Sequence, residues 1–100
     1  MGLTDADREF VASVRDRRRA VCQKIANAQL TVRQAADLAR TDEQVRDLYA
    51  VKVLDVHPAL GKVAGRRLLI SVGAHQFSTL ASLDDDMIER IERAIHGKSA

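Results

Sequence analysis

The chain contains a single proline, Pro58, and on both sides of it apolar residues recur at helical spacing. Proline fixes φ, donates no N–H, and pushes the residue before it out of the α region, so no helix runs through 57–58. The chain therefore reads as helices on either side of one enforced break. Upstream, Asp5–Ala28 holds neither glycine nor proline, and Phe10, Val14, Val21, Ile25 and Ala28 fall on one stripe. That spacing predicts one long helix, capped by Thr4 or Asp5, with Asp5, Asp7 and Glu9 where the helix dipole favours anions. Thr31 caps a short helix over Val32–Ala39, with Val32, Ala35, Ala36 and Ala39 on one side. Thr41 with Gln44 three residues on predicts a third helix over Asp42–Leu48, burying Val45 and Leu48 and placing Tyr49 at the core edge. The run VKVLDV also alternates as a strand would, with Val51, Val53 and Asp55 on one face. The chain offers no second good strand to pair with it, so helix is preferred there.

Downstream of Pro58, Lys62–Ser71 reads as a helix carrying Val63, Arg66, Arg67, Leu69 and Ile70, closed by Gly73 as a C′ glycine. Ala74–Ser82 reads as irregular, with one turn at Phe77–Leu80. Ser82 caps a last helix that begins with Asp84, Asp85 and Asp86, buries Met87, Ile88, Ile91 and Ile95, and frays over 97–100. The composition agrees: 46% of residues are hydrophobic but only 3% aromatic, so the core is aliphatic. The expected fold is all-α, one domain over 1–100. It comprises a long basic helix (1–29), a compact helical core (30–96) and a short tail (97–100).

The break is also the most chemically pointed stretch. His57-Pro58-Ala59-Leu60-Gly61-Lys62 reads as a tight turn opening into a helix, with Gly61 free to take φ > 0. A helix start leaves backbone N–H groups unpaired and carries about half a positive charge, which suits a phosphate. Lys62, Arg66 and Arg67 surround it. Residues 51–83 hold four cations (with Lys52) against one anion, Asp55, a net charge of +3. A second cluster, Arg15, Arg17, Arg18, Arg19 and Lys24 against Asp16, lies on the first helix; it reads equally as a solvated face or as a second polyanion surface.

Other functions find less support. Three aromatics cannot build a stacking platform for single strands. His57, His75 and His96 lie on different elements, without the spacing of a metal site, and three adjacent aspartates point three ways from a helix. The lone Cys22 has no base beside it in the sequence, reads as packing, and suits a reducing compartment. No acid, base and nucleophile come together as an enzyme requires. No run is long and apolar enough to span a membrane, the N-terminus has no secretory h-region, and Gly2 with Thr4 makes a poor acylation signal.

From about Leu30 to Ile95 the chain resembles the actinobacterial integration host factor family of small nucleoid-associated proteins. The match runs through Leu30-Thr31 and the short helix, Asp42-Glu43, Lys52-Val53-Leu54, the turn, the helix to Ile70, and a last helix with Ile88 and Ile91. The family pattern at the turn is Leu-Pro-Gly-Val-Gly-Lys-Val; here it is His57-Pro58-Ala59-Leu60-Gly61-Lys62-Val63. The long basic N-terminal helix is also similar. The resemblance implies a helix–two-turns–helix module that binds duplex DNA with little sequence preference. Phosphates at the minor groove would be held by Ala59, Leu60, Gly61, Lys62 and Val63, with Lys52, Arg66 and Arg67 beside them. Two departures stand out. Ala59 replaces a family glycine, and His75-Gln76-Phe77-Ser78-Thr79-Leu80 replaces an arginine-rich stretch, Arg-Arg-Leu-Arg-Gly-Leu, which implies weaker binding or more use of the first helix.

The expectation is therefore a cytoplasmic, nucleoid-associated, monomeric DNA-architectural protein with no cofactor and no membrane partner. Two alternatives stay open. One is an RNA- or ribosome-associated binder, because a ribosomal small-subunit protein uses a similar module on RNA. The other is an adaptor docking a protein partner through Phe10, Val14, Val21 and Ile25.

Overall fold

A computed structural model describes residues 4–99; Met1, Gly2, Leu3 and Ala100, and with them the reading of Gly2, lie outside the described residues. The fold is all-α. Five helices run α1 (Asp5–Ala26), α2 (Val32–Thr41), α3 (Ala50–Asp55), α4 (Gly61–Ser71) and α5 (Asp85–Ser99), with a 3-10 turn at Leu80–Ser82 before α5. No helix among the described residues is long and apolar enough to cross a membrane.

Two predicted caps close as full capping boxes. In α1 the Thr4 hydroxyl accepts from Asp7 N at 3.1 Å and Asp7 accepts from Thr4 N; in α2 Thr31 and Gln34 exchange the same pair of bonds. Each box satisfies amides that a helix start leaves orphaned. α2 buries Val32, Ala35, Ala36 and Ala39 completely or nearly so. α1 ends at Ala26, where Ala28 takes φ 58° so that its N–H and that of Gln29 close back on the carbonyls of Ile25 and Lys24. Gly73 does the same for α4 at φ 94°, as expected.

The long helix is only half absorbed. Val21 and Ile25 are buried, Val14 is half-buried, and Phe10 and Val11 are exposed. The apolar stripe thus leaves the body toward its N-terminus, in a molecule 50 Å long and about 25 Å across.

Three local expectations are corrected. Residues 42–48 form successive turns, not a helix. The Asp42 side chain accepts from Gln44 N at 2.9 Å, and its carbonyl takes the N–H groups of Val45 and Arg46. Gln44 uses its amide on Ser13 instead of on a cap. Asp and Asn favour such local bonds over helix, and Val45 and Leu48 reach the core from turns. The cap of α5 is Asp84, whose carboxylate accepts from Met87 N at 2.8 Å, while Ser82 donates to Thr79 O. α5 also continues through Gly97 to Ser99 where a frayed tail was expected.

The VKVLDV run is helical, as preferred: α3 buries Ala50, Val51, Val53 and Leu54, too many sides for alternation to mean a strand. Its entry is pinned by a lone antiparallel bridge, Tyr49 with Thr79, where Ala50 N bonds Ser78 O and Leu80 N bonds Leu48 O. α3 and α4 then cross at Gly65. A Cβ there would sit 3.0 Å from Leu54 Cβ and 3.2 Å from its carbonyl carbon and oxygen. That close approach fixes how α4 leaves the turn.

Candidate nucleic-acid interface

The turn between α3 and α4 is built around His57. Its ring Nδ1 accepts from Ala59 N at 3.1 Å, and its carbonyl accepts from Leu60 N at 3.1 Å and Gly61 N at 3.3 Å. An accepting Nδ1 puts the ring proton on Nε2 of a neutral imidazole. Burial lowers the His57 pKa and so keeps it neutral, with Glu92 pulling weakly the other way. Gly61 takes φ 82°, the left-handed geometry expected of it, and opens α4.

These bonds sort the five backbone positions. The N–H groups of Ala59, Leu60 and Gly61 are used inside the turn. Those of Lys62 and Val63, in the first turn of α4, have no acceptor among the described residues. A helix start of this kind favours an anion.

The cations around it differ in their partners. Lys62 and Arg67 are exposed and have no ion pair among the described residues. Arg66 reaches 3.8 Å from Asp55, whose carboxylate is mostly covered and whose Oδ1 is buried without a hydrogen-bond partner. Asp55, the one acid of the region, therefore lies beneath the basic surface and not on it. Lys52 is exposed on α3 and its charge is felt at Cys22 of α1. Burial raises the pKa of that thiol more than Lys52 lowers it, so Cys22 stays a neutral, half-buried packing residue.

The first-helix cluster divides. Arg17 is tied to Asp42, holding that carboxyl below its ordinary range. Arg17 and Lys24 line a small cleft of about 60 Å³ with Leu30 and Leu38. Arg15, Arg18 and Arg19 share a helical face with Cys22, the thiol on which the Lys52 charge acts. Arg15 and Arg19 are exposed, and the Nε of half-buried Arg18 is covered without a partner.

Two features were not anticipated. Val63 and Ile70 are each 67% exposed on the outer face of α4, and Phe77 is 63% exposed. Phe77 stands edge-on to Tyr49 with ring centroids 6.1 Å apart, while Leu80 is in the core. The signal for Val63 and Ile70 was present: with Arg66 and Arg67 they fall at i, i+3, i+4 and i+7, so all four share one face. His75 and Gln76 line a cleft of about 360 Å³ with Arg66, Leu69 and Ile70.

No protein-family profile matches this chain, and no curated protein does. Among solved structures, that of sIHF bound to an 8-bp palindromic DNA shares the fold. The two superpose with a TM-score of 0.79 at 17% identity, over 87% of this chain and 98% of that one.

Proposed function

We propose that this chain binds double-stranded DNA with little sequence preference, as a non-enzymatic architectural protein of the nucleoid, in the cytoplasm. The observation that carries this reading is the fold, shared over nearly all of the sIHF chain that was solved on DNA. The helix start and the Lys62 and Arg67 side chains, without partners among the described residues, support the same reading. In this proposal the N–H groups of Lys62 and Val63 take a backbone phosphate at the minor groove. The Lys62 and Arg67 side chains add charge-assisted bonds, and Arg66 shares itself between DNA and Asp55. Ala59, Leu60 and Gly61 shape the turn and do not donate to the ligand. Lys52 with Arg15, Arg18 and Arg19 forms a second, weaker basic surface, to which Arg17 and Lys24 contribute less. The chain acts as one domain and one copy, without a cofactor.

Fluorescence anisotropy on a labelled duplex across a salt series tests this. Each phosphate contact contributes about 0.9 to the slope of log affinity against log salt. Binding should weaken steeply with salt, and Lys62→Gln/Arg67→Gln should lower both affinity and slope. No salt-sensitive duplex binding, or preferential competition by structured RNA, would overturn the proposal.

A further inference from the structure

The outer face of α4 combines two properties that ordinary surface helices keep apart. Val63, Arg66, Arg67 and Ile70 share it, and both apolar members are two-thirds exposed. A single exposed aliphatic residue needs no explanation. Two of them, interleaved with two arginines on a helix that starts at a candidate phosphate site, describe a surface that is apolar and cationic at once.

The shape around this face is equally specific. On the Arg67 side lies an open cleft of about 680 Å³, lined by Leu60, Val63, Ala64, Arg67, Leu68 and Ser71. On the Arg66 side lies the 360 Å³ cleft lined by Leu69, Ile70, His75 and Gln76. The face of α4 is thus a ridge between two furrows, with Val63 and Ile70 at both its apolar crest and the furrow edges. One arginine lines each furrow.

From this we infer that α4 is a groove wedge. Val63 and Ile70 press against base edges in the minor groove, while the two sugar–phosphate strands bounding the groove lie in the two furrows. Arg66 meets one strand and Arg67 the other. A helix is about 10–12 Å across, whereas the minor groove of B-DNA is about 6 Å wide. The ridge enters only if the groove opens, and inserted aliphatic side chains that unstack a base step kink the duplex toward the major groove. The chain then bends DNA by shape as well as by charge. This inference rests on the DNA-binding reading above. It commits the face to duplex DNA because an arginine on each flank complements two phosphate strands.

The test uses the full chain and a duplex of about 25 bp, short against the ~150 bp persistence length of DNA. The duplex carries donor and acceptor dyes at its ends and 2-aminopurine at interior steps. Wild type should raise transfer between the ends and raise 2-aminopurine fluorescence as steps unstack. Ile70→Ala should lose much of both signals while affinity falls only a few-fold and the salt slope stays unchanged. Ile70→Leu, which keeps an apolar ridge, should restore them. Ile70 is exposed, and a matching melting temperature confirms an intact fold. Equal bending and unstacking by wild type and the alanine variant, or salt-sensitive binding by wild type with neither signal, overturns the wedge and leaves the binding reading standing. Absence of duplex binding removes both.

Discussion

Helices α4 and α5 both present arginines to solvent, but in opposite company. On α5 each has a carboxylate one turn away: Arg90 lies 3.5 Å from Asp86, and Arg93 lies 2.7 Å from Glu89. On α4 there is no acid at all; Arg67 is unpaired among the described residues, and Arg66 reaches only Asp55 of the neighbouring helix. Pairs of the α5 kind are worth a few tenths of a kcal/mol and serve a solvated face. On α4 Arg67 has no partner among the described residues and Arg66 only Asp55 at 3.8 Å, and both stand beside exposed Val63 and Ile70. The contrast teaches that cation count and net charge do not separate the two faces, whereas local neutralisation does.

The largest expected effect follows from neutralising two cations on each helix. In the proposed complex Lys62→Gln/Arg67→Gln removes two charge-assisted contacts, each worth about 1.5–3 kcal/mol where the partner is charged. Duplex affinity should fall by about a hundredfold or more. Arg90→Gln/Arg93→Gln removes the same formal charge and should change affinity by less than about threefold, through long-range attraction alone. Equal losses in the two variants would mean that total charge, and not the turn, holds DNA.

The next comparison concerns stability. Gly65→Ala places a Cβ 3.0 Å from Leu54 Cβ and 3.2 Å from its backbone. Those atoms belong to α3 and cannot move without it, and Leu54 O also accepts from His57 N at the turn. Overpacking costs about 1–3 kcal/mol, against a gain of about 1 kcal/mol for replacing glycine inside a helix. Urea melts should show a net loss of up to about 2 kcal/mol, with weaker DNA binding at temperatures where the variant remains folded. A gain of about 1 kcal/mol, the helix propensity alone, would show that α3 and α4 are not in the close contact described.

Much of this architecture is legible in the residue pattern, and the exceptions have physical causes. Thr4, Thr31, Gly61 and Gly73 announce their roles because caps and positive-φ turns admit few residue types. Asp42–Leu48 misleads because Val45 and Leu48 keep a helical spacing while Asp42 satisfies the backbone locally. The exposure of Phe10 is not legible because a stripe says which face is apolar and nothing about how far the body extends beneath it. At the site, the basic residues are visible in composition. That the Ala59, Leu60 and Gly61 amides are already used depends on the His57 ring and carbonyl, which no spacing rule reveals. Gly65 is silent for the same reason: its role is defined by Leu54, eleven positions away.

His57 offers a smaller effect that separates the turn from the rest of the molecule. Its pKa is lowered by burial, so the folded state binds this proton less readily than the unfolded chain does. The stabilisation is complete above the unfolded value of about 6.5. It is lost as pH falls through the folded value, where a protonated ring can no longer accept from Ala59 N. Because the ring is only partly covered, the loss should stay below about 1 kcal/mol. His57→Asn supplies an acceptor that does not titrate. Between pH 7 and pH 5 its melting temperature should decline less than that of wild type; parallel declines would mean that His57 does not hold the turn through Nδ1.

The smallest effect returns to the two helices with the sign reversed. Gly97 lies within α5, and a Cβ built there meets nothing within 4 Å. Glycine in a helix loses more backbone freedom on folding than alanine does, by about 0.5–1 kcal/mol in an interior position and less near an end. Gly97→Ala should therefore stabilise the chain by less than about 0.5 kcal/mol and leave DNA affinity unchanged, where the same substitution at Gly65 destabilises it and weakens binding. The two helices would then differ under one identical chemical change, because one is positioned by a close crossing at the site and the other is free along its outer face. A loss of stability at Gly97, measured in the same urea melts, would mean that α5 is as tightly enclosed there as α4 is at Leu54, and the contrast between the two helices would fail.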